Sequence, residues 1–130
     1  MLKPKPWYIP IPAYFWITIT PHIYHPKGID PNQFPNIIAH ENVHLSQQAV
    51  GNKYLWYLKY IFSRSFRLNM EARAIAAELD YDNVHNNTSA ARRGLEGYVD
   101  ALTSINYTWA ASSKDIARKM ILSYMVTKNV

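Results

Sequence analysis

The chain has no cysteine among its 130 residues. Disulfides, thiolate metal ligands and cysteine nucleophiles are therefore excluded together. Any bound metal must be held by His, Asp or Glu, a donor set that favours an open hydrolytic centre over a closed structural one. Long apolar runs are missing as well. A membrane-spanning helix needs roughly 20 such residues, and the most tempting stretch, residues 54–62, is short and carries Lys59. The leading residues Met1-Leu2-Lys3-Pro4-Lys5-Pro6 offer no apolar core, so no classical secretory peptide is expected. There is no internal repeat and no low-complexity segment. The net charge is +5, but the basic residues are scattered, which reads as a mild solubilising bias with no nucleic-acid partner expected. A hydrophobic share of 48% excludes disorder, and the length suits one core, hence a single domain over residues 1–130.

A local absence leads to the centre of the chain. No Lys, Arg or Asp falls between Asn36 and Asn52, and the acidic residue there is Glu41, within Ile37-Ile38-Ala39-His40-Glu41-Asn42-Val43-His44-Leu45. Histidines four apart on a helix project from one face, one turn above the other, so both rings can reach a single ion. Glu41 lies about 100° further round the helix, beside the ion, where a nucleophilic water would sit. Zinc accepts the two imidazoles, and hydrolysis needs a carboxylate that takes a proton from water. This is the HExxH arrangement of zinc peptidases. It would arise by chance in well under about 1% of shuffled chains of this composition. A core helix with two hydrogen-bonded histidines is therefore the weaker explanation. The bulky flanks Ile37, Ile38, Val43 and Leu45 suit a helix buried along one side.

Six of the eight prolines (Pro4, Pro6, Pro10, Pro12, Pro21, Pro26) precede Lys27, so extended segments are expected there. Residues 14–20 make the best strand, with Phe15, Ile17 and Ile19 on one face and Tyr14, Trp16, Thr18 and Thr20 on the other. Residues 22–25 continue it or return as a hairpin arm, giving a small antiparallel sheet of two or three strands. His22 and His25, three apart in an extended segment, fall on opposite faces and read as ordinary strand histidines.

After a turn at residues 27–31, the motif helix should run from about Pro35 to Val50 and stop at Gly51-Asn52. An aromatic helix follows from Lys53 to about Phe62, its stripe read as core. Residues 63–68 read as a basic connector. Asn69 can cap a helix from Met70 to about Tyr81 or on to Val84. Ser89 can cap a helix from Ala90 to about Ser104, in which Gly94 and Gly97 mark a weak point or a close crossing. Ser112 with Asp115 resembles a capping box for a last helix over residues 113–127. The class is α+β: a small N-terminal sheet beside about five helices.

A catalytic zinc keeps three protein ligands and one open position. A third histidine six residues after His44 is ruled out, because that position is Val50. The candidates are Glu71, Glu78 and Glu96, with His85 and several aspartates behind them. Glu71 is favoured: it shares a helical face with Ala74 and Glu78, small neighbours allow close approach, and a helix's first turn suits an anion.

His40-Glu41-Asn42-Val43-His44 followed by Gln47-Gln48, an aromatic helix, an Arg-rich connector and Glu71-Ala72 resembles a minimal gluzincin. These are small zincin-like proteins of bacterial and phage genomes, and the likeness covers roughly residues 14–79. It implies that His40, His44 and Glu71 bind zinc, that Glu41 is the general base, and that the 14–20 strand lines the cleft as an edge for an extended peptide. In one respect the chain departs from larger gluzincins. Four residues after the ligand glutamate they place an aspartate that orients a histidine, and here that position is Ile75. Asp30 and Glu78 are candidate substitutes, and Tyr60, Tyr81 and His85 are candidate oxyanion donors.

The expected function is zinc-dependent hydrolysis of peptide bonds in a peptide or protein substrate. The alternative is a zinc-binding structural or interaction protein, such as a phage virion component contacting other structural proteins. A partner-dependent toxin-like peptidase ranks third. A cytoplasmic or virion-associated location is expected ahead of secretion.

Overall fold

A computed structural model describes residues 1–9, 11–12, 14–127 and 130; Pro10, counted above among the prolines, lies outside them. Three short strands form one sheet in the order β1-β3-β2: β1 (Leu2–Pro4), β2 (Ile17–Ile19) and β3 (His22–His25). β2 and β3 are antiparallel, with Thr18 opposite Ile23. β1 runs parallel to β3, with Leu2 opposite Ile23, so the sheet is mixed rather than antiparallel throughout. β1 lies at an edge, where Pro4 breaks no ladder. The strand expected over residues 14–20 shrinks to three residues for a local reason. The buried Lys5 amine donates to the carbonyls of Pro12 and Phe15, so this backbone is tied down by a side chain and not by a neighbouring strand.

Five helices follow. α1 (Pro35–Ala49) begins with its proline in the first turn, after a short 3-10 turn at Pro31–Gln33 that the Asp30 carboxylate caps. α2 (Lys53–Phe62) has the expected bounds, and Asn52 caps it by accepting from Tyr54 N and Leu55 N. α3 (Arg64–His85) starts six residues earlier than expected, with Ser63 and not Asn69 as its cap. The segment read as a basic connector is thus helix. Arg67 is buried there because its guanidinium donates to the carbonyls of Tyr60, Ile61, Tyr107 and Thr108, closing the end of α2 against α3. α4 (Thr88–Leu102) is capped by Asn87 and α5 (Lys114–Tyr124) by Ser113, each displaced from the expected caps Ser89 and Ser112. Both substitutes are the polar residue three positions before the first free amide they reach.

α3 organises the packing. Leu68, Ala72, Ile75, Ala76 and Leu79 form a stripe that meets Leu95, Val99 and Leu102 of α4 and Ala117 and Ile121 of α5. Gly94 marks the crossing, since a Cβ there would stand 2.6 Å from Leu79 Cδ2. Gly97 meets nothing within 4 Å and so marks no crossing. The opposite neighbour of α3 is α1, which also carries β2 on its far side. Among the described residues no helix is long and apolar enough to cross a membrane.

Candidate metal centre

The residues that α1 buries are His40, Glu41, His44 and Gln48, all polar. The apolar flanks Ile37, Ile38, Val43 and Leu45 are only half-buried, contrary to the expectation of an apolar seat for this helix. A buried polar line is unfavourable unless every member is partnered. The partners come from α3 and β2.

His40 donates from Nδ1 to Glu78 Oε2 at 3.0 Å, and the same oxygen accepts from the Tyr98 hydroxyl at 2.5 Å. His44 donates from Nδ1 to Gln47 Oε1 at 2.9 Å, while Gln47 Nε2 is anchored on the Met70 carbonyl at 3.1 Å. These acceptors place the ring protons on Nδ1, which turns both Nε2 lone pairs toward Glu71. Glu71 Oε2 lies 3.5 Å from His40 Nε2, and Glu71 Oε1 lies 3.5 Å from His44 Nε2. Tyr60 donates its hydroxyl to Glu71 Oε1, whereas Oε2 is buried with no hydrogen-bond partner among the described residues.

The residues fit a divalent ion. Donor atoms from His40, His44 and Glu71 lie within 4.8 Å of one another. Two ligands at zinc distances around a tetrahedral ion stand about 3.3 Å apart, close to the observed nitrogen–oxygen separations. A carboxylate whose two oxygens each face an imidazole lone pair is repulsive unless a cation or proton lies between them. Without an ion, protons fill that role. Burial works against a charge on His40, but the Glu71 carboxylate 3.5 Å away, the hydrogen bond to Glu78 and the nearby Glu41 raise its pKa to about 10. His44 is also raised, burial again opposing and Glu71 prevailing. Glu71 is held well below the usual carboxylate range, since the two histidines outweigh its burial.

Glu41 lies beside this cluster. Its Oε2 accepts from Thr18 Oγ1 at 2.6 Å, and among the described residues its Oε1 has no hydrogen-bond partner. Glu41 and Thr18 line a cleft of about 270 Å³ that His40, His44 and Glu71 also line. Aromatic residues of β2's approach (Phe15, Trp16), of α2 (Trp56, Tyr57, Tyr60) and Tyr107 line it as well. The outer edge of β2 is closed over part of its length. Thr18 O accepts from Gln48 Nε2 at 3.0 Å and from the Tyr57 hydroxyl, Thr20 N donates to Gln48 Oε1 at 3.0 Å, and Thr20 O accepts from Lys53 Nζ at 2.8 Å. A peptide could therefore pair only before Thr18, a narrower edge than residues 14–20.

The other candidates lie elsewhere. Glu96 is exposed and pairs with Arg118 at 2.8 Å. His85 stacks on Tyr81 at 4.0 Å, and neither residue lines the cleft. Asp30 is engaged at the 3-10 turn, so of the two substitutes for the missing aspartate only Glu78 reaches a histidine. His22 and His25 are likewise absent from the cleft. Glu71 is not in the first turn of its helix, because α3 begins at Arg64; its position owes nothing to the helix dipole. Thr18, Tyr57, Tyr98 and Tyr107 have no site role in the sequence reading, and Gln48 enters it only within the Gln47-Gln48 pair of the resemblance. Gln48 carried a signal, four residues after His44 and seven after Glu41 on the same helical face. Tyr98 and Tyr107 arrive from distant segments and carried none.

No family model, curated protein or solved structure matches this chain. Its function rests on the site.

Proposed function

We propose that the chain is a zinc-dependent peptidase of the minimal gluzincin type, with His40, His44 and Glu71 as metal ligands and Glu41 as general base. The observation that carries this is the orphaned Glu71 Oε2, buried and facing a histidine nitrogen whose other ring nitrogen is already engaged. When bound, the ion would supply a Lewis acid that polarises a carbonyl and acidifies water. The chain's own residues do the rest. Thr18 holds one Glu41 oxygen, which leaves the other to take a proton from the attacking water and pass it to the departing amine. Glu78 and Gln47 fix the two ring orientations, and Tyr60 steadies Glu71. Tyr60 is thereby committed, and Tyr57 and Tyr98 are hydrogen-bonded to Thr18 and Glu78. Tyr107, which lines the cleft with no hydroxyl partner among the described residues, is the tyrosine left to steady the developing oxyanion.

A second reading makes the ion a tie between α1 and α3 in a structural component, for instance of a phage virion. The partly closed edge of β2 favours it, because few backbone groups remain to hold a peptide. Glu41→Gln separates the two readings. The amide keeps the shape but takes no proton at neutral pH. Cleavage in a peptide library should fall by a factor of about 10²–10⁴, with zinc content and melting temperature close to wild type. Undiminished cleavage by Glu41→Gln would place the base elsewhere, and no cleavage by the zinc-loaded wild type would favour the structural reading.

A further inference from the structure

α2 has a second face that no described residue covers. Tyr54, Leu55, Leu58, Ile61 and Phe62 span an arc of about 120° at about 100° per residue, and their exposures run from 50% for Leu55 to 82% for Phe62. Trp56, Tyr57 and Tyr60 occupy the opposite arc, toward the cleft. α2 has no fully buried residue, although it is the most apolar helix of the chain by composition. The exposed face presents roughly 500 Å², near the upper end of what a monomer's largest apolar patch shows.

The charge around this face has one sign. Residues 42–70 contain no Asp or Glu, while Lys59 and Arg64 are exposed at its border. Arg64 Nε donates to the carbonyl of Trp109 at 2.8 Å, which brings a half-exposed indole-bearing residue to the end of α2.

We propose that this face docks on an anionic lipid surface, with α2 lying in the plane of the headgroups. An interfacial helix needs an apolar face that sinks about 5–10 Å and basic residues that meet the phosphates. Aromatic residues such as Tyr54, Phe62 and Trp109 favour that depth. A second copy would bring the basic border Lys59 and Arg64 against itself, whereas anionic headgroups neutralise it. The lack of acidic residues removes the repulsion that anionic headgroups would otherwise meet. Docking would hold the cleft about one helix diameter, ~10 Å, from the lipid. None of this depends on the metal or on the chemistry of the cleft.

Cosedimentation of the full chain with vesicles tests the idea, comparing one part phosphatidylglycerol to three parts phosphatidylcholine with phosphatidylcholine alone. The anionic vesicles should bind the protein, the neutral ones should bind about tenfold less, and added salt should weaken the difference. Leu58→Glu with Phe62→Glu should abolish binding while far-UV circular dichroism stays unchanged, because both side chains are exposed. Lys59→Gln, which leaves the apolar face intact, should weaken binding about fivefold. Absence of binding, equal binding to neutral vesicles, or binding that survives Leu58→Glu/Phe62→Glu would each overturn the proposal. So would a wild-type dimer in sedimentation that this double variant makes monomeric, since a second copy would then cover the face.

Discussion

Two stripes run side by side along α3 and join it to the rest of the molecule by opposite means. Leu68, Ala72, Ile75, Ala76 and Leu79 make a dry stripe against α4 and α5. Arg67, Glu71, Glu78 and Asp82, about 100° round the helix, are buried to a similar degree yet polar, and the last three of these face α1. The dry stripe stabilises through non-directional burial and tolerates swaps of similar volume. The polar stripe has to meet each group with a specific partner, and such networks add little net stability over an apolar replacement. The α1–α3 seam therefore gives specific contacts at little net stability, and the α3–α4–α5 seam holds the fold.

The largest effect should come from the dry stripe. Leu79→Ala removes a fully buried side chain and should cost about 3 kcal/mol in denaturant unfolding, equally with zinc or with chelator. If the loss depended on zinc, the two stripes would not be independent.

The polar stripe should show the reverse dependence. Zinc at about 100 times its Kd should stabilise the wild type by about 2.7 kcal/mol, and Glu71→Gln should lose that increment. In chelator near neutral pH the variant should unfold earlier than wild type, because Glu71 is the partner of the protons on the buried His40 and His44. The pH dependence sharpens the contrast. The folded pKa of His40 is raised from 6.5 to about 10, so in metal-free protein its stabilising contribution is complete below about 6.5 and lost as pH rises through about 10. Metal binding needs the rings deprotonated. The melting temperature in chelator should thus fall across this window while the zinc-induced increment grows, and parallel curves would contradict the account.

A smaller pair of effects tests the crossing. Gly94→Ala should destabilise by about 1–3 kcal/mol, since its Cβ would meet the buried Leu79 Cδ2 at 2.6 Å. Gly97→Ala, with nothing within 4 Å, should stabilise by about 0.5–1 kcal/mol. Matching signs in thermal melts would show that the packing of α4 on α3 has been misread.

The sequence made the α+β class, the bounds of α2 and nearly those of α1 legible, because turn residues and Pro35 punctuate them strongly. It also pointed to His40, Glu41, His44 and Glu71, which the fold brings together, because a four-residue spacing fixes geometry inside one helix. The start of α3 was not legible. Arg64 and Arg67 look like solvent-facing connector residues until four carbonyls from two other segments are found around Arg67. β1 falls among the extended segments expected around the early prolines, but its pairing with β3 is a contact between distant segments that no local pattern records. The roles of Tyr98, Tyr107 and Thr18 depend on tertiary contacts with α1 or α3, which no local pattern records.

The central claim is that the polar stripe exists to hold an ion. Native mass spectrometry of the purified chain with added zinc tests it most directly. The account predicts one ion per wild-type chain, one in Glu41→Gln, and none in His40→Ala or Glu71→Gln. A wild type that retains no ion, or a Glu71→Gln variant that retains one as firmly as wild type, would contradict it.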